Sequence, residues 1–151
     1  MSEKMSKSEF HEKMAKDLFN KTWDLIEKKD RTPEEDMEMI HSAHASSYHW
    51  YQIGKPINFQ RGEWQISRVY AILKQSEACM YHAKRCMELT EEHKIQGFDL
   101  AFAYEAMARG YSIFRVAEEK EKYLKLAKEA AEKIEDKEDK KYTLSEIATI
   151  I

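Results

Sequence analysis

Residues 67–89 read SRVYAILKQSEACMYHAKRCMEL, and residues 108–130 read ARGYSIFRVAEEKEKYLKLAKEA. Laid over one another, 108 − 67 = 41 residues apart, they put Ser67 on Ala108, Tyr70 on Tyr111 and Leu73 on Phe114. The overlay continues with Glu77 on Glu118, Ala83 on Leu124 and Cys86 on Ala127. Apolar residues recur every three or four positions in both stretches, which is the spacing of one helical face. Each stretch therefore predicts two helices with a short turn between them. Small residues let the paired helices approach, and the aromatic fills the space between one pair and the next. Self-similarity at a fixed period marks stacked units that bury their apolar faces on each other.

Working outward, the first helix is expected from about Ser8 to Lys28, because Ser6 and Glu9 have capping-box spacing and Phe10, Met14, Leu18 and Leu25 keep a helical period. Thr32-Pro33-Glu34-Glu35 is the clearest start: Thr as N-cap, Pro at the first position and Glu at the third. That second helix carries Met37, Ile40, His44, Tyr48 and Tyr51 on its expected buried side and stops at Gly54-Lys55-Pro56, with Gly54 in the left-handed conformation. Helix three begins near Asn58, helix four spans about Glu77 to His93, and Gly97 with Asp99 as N-cap opens helix five. Helix six carries Tyr123, Leu124, Ala127 and Ala131; a charged linker from Glu135 to Lys141 precedes a short last helix capped by Thr143. Leu144, Ile147, Ala148 and Ile151 would share its apolar face.

Composition narrows the class. With 4 Gly and 2 Pro in 151 residues there is little to break helices, and no alternating β-branched runs occur, so a single all-α domain is expected over 1–151. The charge of −3 comes from 25 basic and 28 acidic side chains that are well mixed, without the basic stripe that phosphate neutralisation demands. No apolar run approaches the roughly 20 residues of a membrane span. MSEKMSKSEF lacks the apolar centre of a signal peptide, so a cytoplasmic protein is expected. Cys79 and Cys86, seven positions apart on a helix, sit about 10 Å apart at ~1.5 Å rise per residue, too far for a disulfide. Both are expected as buried thiols.

The pattern in the two quoted stretches resembles the tetratricopeptide (TPR) repeat family: a small residue, Tyr three later, an apolar residue three later, then small residues on the second helix. Ser67, Tyr70, Leu73 and Cys86 fit in the first unit, and Ala108, Tyr111, Phe114 and Ala127 in the second. The likeness covers about half the chain. The spacing of 41 exceeds the family's ~34, and the family's small-position glycine and closing proline are missing. The resemblance implies about six antiparallel helices stacked as hairpins in a right-handed superhelix, with a short C-terminal helix added. It further implies a concave groove lined by the first helix of each hairpin, whose basic or amide residues hold acidic or carboxylate-ended peptides. Carried onto this chain, the partner-binding positions are Arg61, Trp64, Gln65 and Arg68 on helix three, then Glu105, Arg109 and Ser112 on helix five. The forked guanidinium suits carboxylates. Local ion pairs, Arg61 or Arg68 with Glu63 or Glu105, are the competing explanation of the same pattern.

No catalytic constellation is legible. Glu38 and His41 make one E-x-x-H pair, but the di-iron pattern needs a second. His11-Glu12 opens like a zinc-protease motif, yet Ala15 stands where its second His belongs. No phosphate loop and no nucleophile elbow are present. A non-enzymatic, cofactor-free interaction module with an unknown protein or acidic-peptide partner is expected. Two alternatives stay open: a metal or small-molecule site around His41, His44, His49, Trp50 and Trp64, or a structural subunit that self-associates through the C-terminal segment.

Overall fold

The computed structural model describes residues 4–151. Among these residues the chain forms seven α-helices and no strand: α1 (Lys7–Glu27), α2 (Pro33–Ile53), α3 (Pro56–Ile72), α4 (Ser76–Glu92), α5 (Phe98–Phe114), α6 (Ala117–Glu132) and α7 (Lys137–Ile147). Consecutive helices pair as α1–α2, α3–α4 and α5–α6. The partners run antiparallel, as cross-links in the first hairpin show: Ser46 Oγ donates to the Ala15 carbonyl at 2.7 Å, while the Thr22 and Ser42 hydroxyls meet at 2.7 Å nearer the turn. The backbones of α1 and α3, and of α3 and α5, lie against one another, whereas among the described residues those of α2, α4 and α6 stand apart and α2 meets α4 only through side chains such as His44 and His82. The odd helices thus form an inner layer and the even helices an outer one.

The predicted starts of α1 and α2 are as expected. The Glu9 N–H donates to Ser6 Oγ at 3.0 Å, and Thr32 and Glu35 satisfy each other's backbone reciprocally, at 3.2 and 3.0 Å. Later boundaries differ. Gly54 is extended, with φ −86°, and α3 begins at Pro56 rather than near Asn58. The glycine is needed for closeness instead: a Cβ there would lie 2.7 Å from the Trp50 carbonyl oxygen. Gly97, at φ 72°, holds the cap position of α5, leaving Asp99 in the first turn. At the other end, Asp136 caps α7 by accepting from the Asp139 N–H at 2.9 Å, so residues 137–141 are helix and Thr143 is a buried interior residue. Ile147 packs with Ala101, Ala127, Ala131 and Ile134, whereas Ile151 is 96% exposed and shares no buried face.

The buried side of α2 also differs from the expected one. Met37 and Tyr48 are 52% and 62% exposed, and Tyr51 is 40% exposed. Met39, Ser42, Ala43, Ser46 and Ser47 are buried in their place. Small side chains win because α1 and α3 both pack closely on this helix, and hydroxyls that bond to Ala15, Met39 or Thr22 lose little on leaving water.

The 41-residue period is a feature of the fold. Lys74 and Arg115, 115 − 74 = 41 apart, both take left-handed backbone at φ 60° and 63°. The amide after each, Gln75 or Val116, bonds the Tyr70 or Tyr111 carbonyl at 2.9 or 3.0 Å. Tyr70 stacks on His82 at 5.9 Å and Tyr111 on Tyr123 at 5.8 Å, again with both members 41 apart. The two tyrosines thus occupy equivalent places between the helices of successive hairpins. Cys79 and Cys86 are free thiols with no exposed surface; burial raises the pKa of both.

Candidate functional site

The same period threads the inner layer. Trp23 on α1, Trp64 on α3, Glu105 on α5 and Glu146 on α7 succeed one another at 41 residues and sit side by side. Trp23 stacks on Trp64 at 5.6 Å and 28°. Trp64 Nε1 donates to Glu105 Oε1 at 2.9 Å, and Glu105 has no exposed surface. Arg109 Nε donates to Glu105 Oε2 at 2.6 Å. Arg68 joins Glu105 to Glu146 through Nη2, at 3.3 Å to each carboxylate, with its guanidinium 5.1 Å from the Trp64 ring centroid. α7 therefore takes the place of the first helix of a further hairpin, lying on α5 and α6.

Against this geometry the seven residues chosen from the sequence separate into four groups. Arg61 lies at the open part of the inner face and grips Asp99 with two bonds of 2.9 Å. Trp64, Arg68, Glu105 and Arg109 form the charge-linked column just described, so those arginines are paired within the chain. Arg109 also donates to the Glu146 carbonyl and Thr149 Oγ1, and the Ser112 hydroxyl donates to the Ile151 carbonyl. The segment after α7 thus already lies against the α5 end of the face. Gln65 faces inward between helices, its amide donating to the Phe19 carbonyl at 3.1 Å. Arg61 finds Asp99 rather than Glu63 because Glu63 points the other way, toward α4.

Sequence reasoning missed the open remainder of the face. A cavity of about 290 Å3 is lined by Phe19 and Trp23 from α1, Gln60, Arg61 and Trp64 from α3, Phe98, Asp99 and Phe102 from α5, and Tyr142 from α7. Every wall comes from the inner layer or α7. Phe102 meets Trp64 edge-on at 5.4 Å, and Phe98 and Tyr142 both lie against Phe102, at 4.7 and 5.9 Å. The signal was present as aromatics on α1 and α5, but only the period that sets α1 beside α3 brings Phe19 and Trp23 to Phe98 and Phe102. A second depression of about 210 Å3, lined by Lys16, Phe19, Asn20, Trp50, Asn58 and Arg61, adjoins the cavity across Phe19 and Arg61.

The histidines lie elsewhere. His11 and His49 meet Nδ1 to Nδ1 at 2.8 Å between α1 and α2, so one ring donates and the other accepts. His44 bonds the Tyr70 hydroxyl at 2.9 Å and packs edge-on against His82 at 5.4 Å. His82 Nδ1 lies 2.6 Å from Glu63 Oε2, and the Tyr51 hydroxyl donates to Glu63 Oε1 at 3.2 Å. Burial and the Glu63 charge push the Tyr51 phenol up to about 12. The His44 pKa is lowered by burial first and by His82 second. Trp64 belongs to the inner face, away from these rings. Among the described residues no group of three or more His, Cys, Asp or Glu side chains is placed to hold a metal ion. No helix among them is long and apolar enough to cross a membrane. No protein-family model, no curated protein and no solved structure matches the chain.

Proposed function

We propose that the chain is a TPR-like, non-catalytic interaction module whose inner face receives a segment of a partner protein. One observation carries this reading: the inner layer forms an aromatic-walled cavity on the same face that already holds its own C-terminal segment. Arg68, Arg109 and Ser112 hold that segment through one carboxylate, one hydroxyl and two backbone carbonyls, which is the chemistry by which a groove holds a peptide. The partner segment would lie over α1 and α3, with α7 as the end wall and Arg61 on its path. Concave, mostly apolar sites with a few placed polar groups are where ligands bind.

Selection of random displayed peptides on the purified protein tests the proposal. Enriched peptides are expected to share a motif and to lose binding to a Trp23→Ala or Arg61→Ala variant of unchanged melting temperature. Enriched peptides indifferent to both substitutions would refute the inner face as the binding surface.

A further inference from the structure

Resting on the module reading, we infer that the cavity takes the indole side chain of a tryptophan in the partner segment, with an acidic side chain next to it seated in the adjoining depression.

The walls fix the ring. Phe19, Trp23, Trp64, Phe98, Phe102 and Tyr142 present aromatic faces and edges, which attract another aromatic beyond the area it buries. The size excludes a small aliphatic group as the best fit: cavities of about 150 Å3 take benzene, and this one is about 290 Å3.

The polar wall fixes the donor. Gln60 is 1% exposed and lines the cavity. Its Nε2 donates to Thr90 Oγ1 at 3.1 Å and to the Asp99 carbonyl at 2.9 Å. Thr90 Oγ1 itself donates to the Cys86 carbonyl at 2.7 Å, so toward Gln60 it accepts, and the amide orientation follows. Both amide hydrogens are spent. Gln60 Oε1 takes no bond from any described residue, and it is the hydrogen-bonding capacity the amide has left. Trp64 Nε1 is likewise spent, on Glu105. An entering ring that carries an N–H has this free carbonyl oxygen of a lining residue to give it to, and indole is a donor without an acceptor nitrogen.

The neighbouring depression indicates a side chain of a peptide rather than a free molecule. Two hollows sharing Phe19 and Arg61 suit two neighbouring side chains of one segment. The second is walled in part by Lys16, Asn20, Asn58 and Arg61; Lys16 pairs with Glu12 at 3.1 Å in an exposed bond it can exchange, and these donors favour a carboxylate. Arg61 is about half exposed and can share its guanidinium between Asp99 and a partner's acid.

The test uses the whole protein and a capped peptide, Gly-Ser-Asp-Glu-Trp-Glu-Ser-Gly, carrying 5-fluorotryptophan and observed by fluorine NMR. A saturable shift or broadening is expected, centred on the indole. A peptide with 1-methyltryptophan should bind roughly tenfold more weakly, which is about 1.4 kcal/mol and within the cost of a lost buried hydrogen bond. Replacing the three acids by lysine should weaken binding as well. Because these comparisons alter only the ligand, they hold even if a Trp23→Ala variant folds poorly. No response at millimolar peptide, or equal binding of the methylated peptide, overturns the inference. Binding of free 5-fluoroindole without binding of the peptide overturns the peptide source. If the displayed-peptide selection instead yields inner-face binders lacking tryptophan, the module reading stands and this inference falls.

Discussion

Glu105 is the residue on which the inner layer turns. Its buried carboxylate accepts from Trp64, Arg68 and Arg109, and three partners are what make a fully buried charge tolerable. Removing it leaves Arg68 with Glu146 alone and Arg109 with neutral acceptors only, although both guanidinium groups are largely shielded. Glu105→Ala should therefore cost about 3–5 kcal/mol by urea unfolding, and Glu105→Gln less, because the amide oxygen still accepts from Trp64. An Ala variant as stable as wild type would show that the column carries no net stability. His44 supplies a pH dependence of opposite chemistry. Facing it are His41 on its own helix, Tyr70 and Glu63 from α3, and His82 from α4; Glu63 favours the charged ring, but burial and the two histidines outweigh it. The folded-state value lies below 6.5, so the neutral ring contributes its full stability above pH 6.5 and loses it as pH falls through the folded value. Melting temperature should drop on acidification through this window. His44→Gln should flatten that part of the profile; an unchanged slope would assign it to other groups.

At the scale of elements, α7 shows how local chemistry and packing divide the work. Asp136 starts it, and burial of Ile147 against α5 and α6 keeps it in place. Ile147→Ala should cost about 2–5 kcal/mol. It should also release the Arg109 and Ser112 bonds to residues 146–151, visible as faster amide exchange across the segment. Loss of stability without faster exchange would mean that the segment is held by its polar contacts alone. α2 depends on smallness rather than bulk. Gly62, on α3, faces Ser47, and a Cβ there would lie 3.1 Å from Ser47 Oγ. Substituting leucine for Ser46 or Ser47 should accordingly destabilise through overpacking, by about 1–3 kcal/mol, although it raises hydrophobicity.

Over the whole molecule, the period makes a chain of hairpins whose inner layer is cross-linked by side chains. Stacked hairpins with neighbour contacts alone can unfold piecemeal. Here Trp23, Trp64, Glu105 and Glu146 join α1 to α7, which favours a single transition. Tryptophan fluorescence of a Trp50→Phe variant, reporting the inner-layer Trp23 and Trp64, and far-ultraviolet circular dichroism, reporting all helices, should give coincident urea curves. Separated midpoints would show that the hairpins uncouple.

The amino-acid sequence determined the all-helical class, the order of elements and the 41-residue period, because these rest on local spacing, caps and scarce Gly and Pro. Thr32 and Glu35 announced α2 through bonds that reach three residues. It also marked Arg61, Trp64, Arg68 and Arg109 as inner-face residues and offered Glu105 as a partner of Arg68, which the structure bears out, but it did not indicate Asp99 for Arg61 or Glu146 for Arg68. Asp99 and Glu146 lie 38 and 78 residues away from the arginines they bind, and no local pattern encodes such a distance. The buried side of α2 departs from the hydropathy pattern for a related reason: two neighbours pack on it, and closeness of approach outweighs side-chain hydropathy. The cavity belongs wholly to tertiary structure. Its walls come from four helices, and the orientation of Gln60 depends on Thr90 and Asp99, which only the stacking of hairpins brings within reach.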